Sequence, residues 1–201
     1  MENNDLSCIL ITGPIGSGKT MIGDYIKQIS YELYSLKSMH FSFSGKLDQI
    51  IDPLHPDKVD RRFKQALGLF LDNFDKSYLT NAILKDISLT DINVAIISSV
   101  RFGYQISAIK NRIPNTIVIH LTANKQKRWL WVNARRVNEG DPPLTIEEFQ
   151  DQHKPKTDHN LGRLRWLATH IIKNNGTKQE LYAKVNEAMH HFIVKSKGSR
   201  P

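Results

Sequence analysis

The chain predicts an α/β fold, a five-stranded parallel sheet with helices on both faces, and three observations carry that reading. Short apolar runs alternate along the chain with segments of helical periodicity, the pattern of βαβ units. The run Asn93-Val94-Ala95-Ile96-Ile97-Ser98 is nearly continuously apolar, as a central strand covered on both faces must be. Gly13-Pro14-Ile15-Gly16-Ser17-Gly18-Lys19-Thr20 fits the pattern G-x-x-x-x-G-K-[ST], whose setting is a strand, a loop and a helix. Cys8-Ile9-Leu10-Ile11 supplies the strand before it, and Met21 onward the helix.

The elements follow in order. Strand one is Ser7 to Thr12, and helix one runs from Thr20 to Tyr34 on the spacing of Ile22, Tyr25, Ile26, Ile29 and Leu33. Met39 to Phe43 alternates as a short second strand. Residues 44–87 are mostly helical, an insertion between strands: Leu47 to Ile51, a Pro-broken turn over Asp52 to Pro56, then Lys58 to Leu71 and Lys76 to Ile87. After the strand at Asn93, Gly103 to Asn111 predicts a helix, Thr116 to Leu121 a buried strand, and Asn124 to Val137 a basic amphipathic helix. Thr145 with Glu148 forms a capping box for a short helix, and Asn160 to Leu167 gives another. His170 to Lys173 is the last strand, Asn174-Asn175-Gly176 a turn, and Thr177 with Glu180 caps the final helix. The boundaries are one domain over 1–194, with a core of 7–43, 88–132 and 161–194, the insertion 44–87, a lid at 133–160, and a polar tail, Lys195 to Pro201, expected to be disordered.

Composition narrows the function classes. No apolar stretch approaches the roughly 20 residues that cross a bilayer, and Met1 to Asp5 is polar and acidic, unlike a targeting segment. The expectation is a cytoplasmic protein with no membrane partner. Cys8 is the only cysteine and lies in a strand, so it reads as a small core residue. A net charge of +8 fits nucleic acid or a polyanionic small molecule. The positive residues concentrate at Lys125-Gln126-Lys127-Arg128, Arg135-Arg136, Arg163 and Arg165, with no basic stripe interleaved with aromatics, and this favours small nucleotides over nucleic acid. Trp129 and Trp131 read as packing, and no pair among the eight histidines has metal-ligand spacing.

The loop's residue types define its chemistry. Gly13, Gly16 and Gly18 permit positive φ and close backbone approach, so successive N–H groups can turn inward around phosphate oxygens at a helix N-terminus. Lys19 is expected to reach the β- and γ-phosphates of ATP and the Thr20 hydroxyl to meet Mg²⁺; Pro14, Ile15, Ser17 and Met21 complete the binding segment.

Further segments resemble one family. Arg61-Arg62-Phe63-Lys64-Gln65-Ala66-Leu67-Gly68, with Asn73-Phe74-Asp75-Lys76-Ser77-Tyr78, is similar to R-R-x-x-Q-A-L-G and N-F-D-x-x-Y of phage-type deoxynucleoside monophosphate kinases, members of the P-loop nucleoside monophosphate kinases. Ser42-Phe43-Ser44-Gly45 resembles the start of their monophosphate-binding region, and Ile96 to Phe102 their I-x-D-V-R-F strand end. Ile172 to Leu181 resembles their closing I-x-N-D-G-[ST]-x-E-E-L, a motif shared with dephospho-coenzyme A kinases. The resemblance implies a three-layer P-loop fold and γ-phosphoryl transfer from Mg-ATP to a (deoxy)nucleoside 5′-monophosphate. It implies Ser44, Arg62, Gln65 and Arg101 on the acceptor, Arg128, Arg135 and Arg136 as lid arginines over the transferred group, and Asn175 with Gly176 bordering the adenine. The alternatives are a dephospho-coenzyme A or other small-metabolite kinase and a nucleotide-binding protein with little catalysis; monomer and homodimer both stay open. One departure stands out: Ser98-Ser99 occupies the strand end where the family carries an Asp, and Asp24 or Asp91 are candidates to replace that carboxylate.

Overall fold

In the structure, a computed structural model, residues 6–53, 61–151 and 161–198 are described. Strand β1 (Ser7–Thr12) is buried at every position and sits mid-sheet. Around it lie β2 (Ser38–Ser42), β3 (Val94–Val100), β4 (Thr116–Thr122) and β5 (His170–Lys173), all parallel, in the order β2-β3-β1-β4-β5. The period of two along β1 divides the core. Ile9 and Ile11 pack with Ile96 and Ile119 against α1 (Lys19–Tyr34) and the final helix, whereas Cys8 and Leu10 pack with Ala95, Ile97 and Val118 against the helices of the other face. Each fully buried aliphatic side chain contributes about 1.5–3 kcal/mol. Cys8 is one of them, and burial pushes its thiol far above the ordinary range, which leaves it unreactive.

Between β2 and β3 the chain forms α2 (Phe43–Ile51), α3 (Arg61–Phe74) and α4 (Tyr78–Ser88). Helix α5 (Gly103–Arg112) follows β3; α6 (Lys125–Asn138) and α7 (Ile146–Asp151) follow β4. Helix α8 (Leu161–Leu164) passes into a 3₁₀ turn at Arg165–Leu167, and α9 (Lys178–Gly198) closes the chain. Both capping boxes form reciprocally: Glu148 N–H donates to Thr145 Oγ1 while Thr145 N–H donates to Glu148 Oε2, and Thr177 with Glu180 does the same.

Several boundaries differ from the sequence expectation, two of them for a visible local reason. Helix α2 starts at Phe43, because Ser42 is extended and its hydroxyl accepts the Gly45 N–H, which makes it the N-cap. Helix α3 runs on to Phe74, and Asp75 then takes the Ser77 N–H and hydroxyl on Oδ1 to turn the chain. Helix α9 continues to Gly198, into the stretch expected as a tail from Lys195. Residues 54–60, which hold most of the Pro-broken turn and Lys58, residues 152–160 of the lid and residues 199–201 lie outside the described residues.

At the carboxyl end of the sheet β3 carries a bulge. Ser98 pairs with Ile11 and Val100 with Thr12, so Ser99 is the extra residue, held at φ +63°. A non-glycine residue in that region is strained, and bulges of this kind re-aim side chains beside sites.

Candidate nucleotide site

The Gly13–Thr20 loop crosses the carboxyl ends of β1, β3 and β4, where open α/β sheets receive ligands. Gly13, Gly16 and Gly18 hold φ of +140°, +72° and +96°. Their missing side chains also make room: a Cβ on Gly13 would stand 2.3 Å from the Leu121 carbonyl oxygen, and one on Gly16 2.7 Å from that of Arg128. Gly18 is the N-cap of α1 and offers no side-chain acceptor, so the first-turn N–H groups face outward uncapped by it. Ser17 Oγ is buried with no hydrogen-bond partner among the described residues. A helix N-terminus beside a buried, orphaned hydroxyl suits an anion such as a phosphate.

Lys19 Nζ donates to the Gly13 carbonyl at 2.9 Å and the Pro14 carbonyl at 2.8 Å, which folds the ammonium back over the loop. Thr20 is exposed at the second residue of α1. Among the described residues no group of three His, Cys, Asp or Glu could hold a metal.

Three distant segments brace the loop. Asn174 is buried and donates through Nδ2 to the Ser17 carbonyl at 3.0 Å. Arg128 Nη1 donates to the Ile15 carbonyl at 3.0 Å and Nε to Ala123 at 3.2 Å, and its guanidinium lies 5.6 Å from the Phe149 ring centre. Ile15, Val132 and Phe149 form a small core that seats α6 and α7 on the loop. His120, on β4 opposite Thr12, is buried with Nδ1 unpartnered among the described residues. Its pKa is held below the usual histidine range, chiefly by burial and further by the positive charges of Arg165 and Lys19.

A histidine kept neutral in the fold binds fewer protons than in the unfolded chain, so its contribution is present above the unfolded pKa of about 6.5 and is lost as pH falls through that value toward the depressed one. Melting temperature is therefore expected to fall more steeply below about pH 6.5 in the wild type than in His120→Leu. Parallel pH profiles for the two would reject the assignment.

The other sequence candidates divide. Asn175 Oδ1 accepts the Asn124 N–H at 2.7 Å and its carbonyl meets Lys127, so it orders the start of α6, with Gly176 beside it. Arg136 Nε donates to the Pro142 carbonyl and lies 4.0 Å from Asp141, while Arg135 sits 3.8 Å from Glu139, so both engage the turn after α6. Arg101 follows β3, and its N–H donates to Gln105 Oε1 at 2.9 Å, which sets the loop. That loop stacks Phe102 on Tyr104 along an open cleft of about 320 Å³ shared with Arg163, Leu164 and Leu167. Ser44 joins Ser42 and Ser99 in a hydroxyl cluster with contacts of 2.9 to 3.4 Å. On α3, Arg62 is exposed, whereas Gln65 Nε2 is buried without a partner among the described residues.

The two carboxylate candidates separate as well. Asp91 lies near the amino end of β3, paired with Lys37 at 2.5 Å, so it cannot serve the loop at the opposite edge of the sheet. Asp24 accepts from His40, described below. Sequence reasoning missed His40 and His120 and placed Asn174 beside the base rather than on the Ser17 carbonyl. Asn174 had a signal in the closing motif and His120 in its polarity within an apolar strand, whereas nothing local marked His40.

No family model matches the chain. It is 22% identical over 187 residues to a UPF0200 protein of Thermococcus kodakarensis, covering 93% of this chain and 98% of that one. A UPF0200 protein of Thermococcus gammatolerans is likewise 22% identical, with 92% and 95% covered. Among solved structures it is similar to a gluconokinase of Sinorhizobium meliloti (TM-score 0.57, 14% identity, 94% and 97% covered) and to the shikimate kinase of Acinetobacter baumannii bound to shikimate (TM-score 0.53, 14% identity, 96% of each). A kinase candidate of Chloroflexus aurantiacus superposes with a TM-score of 0.61 at 15% identity, over 94% and 97%. With the strand order and the glycine loop, these likenesses establish the fold as that of the P-loop kinases.

Proposed function

We propose that the protein is a P-loop phosphotransferase that passes the γ-phosphoryl group of Mg-ATP to a small acceptor, a (deoxy)nucleoside 5′-monophosphate. The observation that carries the reading is the Gly13–Thr20 cradle, with three positive-φ glycines, an orphaned Ser17 hydroxyl and Lys19 poised over it. In this reading Lys19 and Arg128 stabilise charge on the transferred group, and Thr20 meets the cation. Arg101, Ser44, Arg62 and Gln65 receive the acceptor, the buried amide of Gln65 finding its missing partner there. Arg135 and Arg136 act after the 139–142 turn releases them, and Asn175 with Gly176 borders the base. Domain roles follow: 44–87 as the acceptor insertion and 133–160 as the lid, in a cytoplasmic enzyme acting without a membrane or nucleic-acid partner.

A second reading, a small-metabolite kinase such as a dephospho-coenzyme A kinase, is favoured by the Ser42, Ser44 and Ser99 cluster, which suits a hydroxyl-bearing acceptor. Coupled measurement of ADP release with ATP and a panel of nucleoside monophosphates, dephospho-coenzyme A, gluconate and shikimate separates the two. Stimulation by a monophosphate supports the first, and stimulation only by a hydroxyl acceptor supports the second. ATP binding without stimulation by any of them leaves the third alternative, a nucleotide-binding protein with little catalysis.

A further inference from the structure

His40, Asp24 and Ser98 meet where β2, α1 and the end of β3 converge. His40 Nδ1 lies 3.0 Å from Asp24 Oδ1, and Nε2 lies 2.9 Å from Ser98 Oγ. Exposure falls along the chain of contacts, from 65% at the Asp24 side chain to 12% at His40, with Ser98 at 2%. The ring lies flat on Gly23, where a Cβ would stand only 2.4 Å from His40 Cε1. A glycine inside a helix costs about 1 kcal/mol against alanine, so this one is kept for the space it opens.

Proton bookkeeping orients the chain. An ionised Asp24 only accepts, so Nδ1 carries the hydrogen and Nε2 of the neutral ring keeps a lone pair. The Ser98 proton then goes to Nε2, because its other acceptor, the Phe41 carbonyl, stands at 3.5 Å, the outer limit of a hydrogen bond. Ser98 Oγ, donating its proton to the ring, keeps its lone pairs as acceptors. The oxygen is on the α1 side of the sheet, since Ile96, two residues earlier, packs with α1. Gly23 and Asp24 stand three and four residues after Thr20, one turn below it on the same helix face. Ser98 also pairs in register with Ile11, two residues before the loop begins at Gly13, which puts it at the loop end of the sheet.

We propose that Asp24, His40 and Ser98 form a hydrogen-bonded relay that holds Ser98 Oγ as an acceptor for water on the cation accompanying the nucleotide, with His40 as the positioning residue. The proposal rests on the nucleotide reading above. A hydrated Mg²⁺ keeps several waters that need acceptors. A relay that fixes a hydroxyl's proton inward supplies one without a carboxylate at the strand end.

Two measurements on the full chain test it. Imidazole ¹⁵N spectra, with His40 assigned against His40→Phe, are expected to show Nδ1 protonated and Nε2 bare at neutral pH; a protonated Nε2 overturns the relay whatever the protein binds. Calorimetry of ATP with Mg²⁺ and with EDTA gives the metal-dependent gain in affinity. His40→Phe and Ser98→Ala are expected to cut that gain about five- to tenfold, the worth of one hydrogen bond, and to leave the EDTA affinity unchanged. An undiminished gain in folded variants overturns the relay alone. No ATP binding by the wild type in either buffer overturns the nucleotide reading, and the relay's role with it.

Discussion

Lys19→Ala is expected to lower phosphoryl-transfer turnover by about 10²–10⁴, corresponding to several kcal/mol of lost transition-state stabilisation. The ammonium stands over the cradle, held by the Gly13 and Pro14 carbonyls, whereas the Arg128 guanidinium is engaged by the Ile15 and Ala123 carbonyls. Those two bonds to Lys19 contribute only about 1 kcal/mol each, so the melting temperature should move by a few degrees at most. Steady-state kinetics beside thermal melts decide the matter. Unchanged turnover in a folded Lys19→Ala protein would mean the charge acts elsewhere. A second consequence is visible in His120, whose depressed pKa owes part of its shift to Lys19 and is expected to rise in the variant.

Gly13→Ala is expected to destabilise the fold by on the order of 3 kcal/mol and to abolish ATP binding. The position combines φ +140° with a Cβ site only 2.3 Å from the Leu121 carbonyl oxygen and 3.1 Å from Ser17 Oγ. Leu121 belongs to the buried strand β4 and cannot retreat, so the loop must open instead. Gly140→Ala is the matched control, with positive φ but nothing within 4 Å of a Cβ, and it should cost only the backbone strain of about 1 kcal/mol. Denaturant melts and nucleotide titration of the pair separate steric blockade from strain; equal losses would reject the close approach.

Most of the sheet was legible because its signals are local. β1 and β5 stand at the limits the sequence predicts, β1 as an apolar run buried at every position and β5 as a short edge strand closed at once by the Asn174-Asn175-Gly176 turn. Both capping boxes were legible for the same reason, as each needs residues only three apart. The ends of α2 and α3 were less so, because a serine N-cap and an Asp–Ser turn depend on backbone geometry that periodicity does not encode.

The site divides along the same line. Residues 13–20 announce a phosphate cradle by themselves, since glycine spacing dictates which backbone shapes the loop can take. Their supports do not announce themselves: Asn174 reaches Ser17 across 157 positions, Arg128 reaches Ile15 across 113, and His40 reaches Ser98 across 58. From the order of residues alone came the strand–loop–helix unit, the five strands and the positive-φ glycines of the loop. The tertiary structure alone decided that Asn174 braces the loop at Ser17, that Asp91 stands at the amino end of β3 away from the loop, and that Asp24 meets His40. A hydrogen bond needs about 3 Å of proximity, and for residues far apart in the chain only the packing of the sheet against its helices creates it.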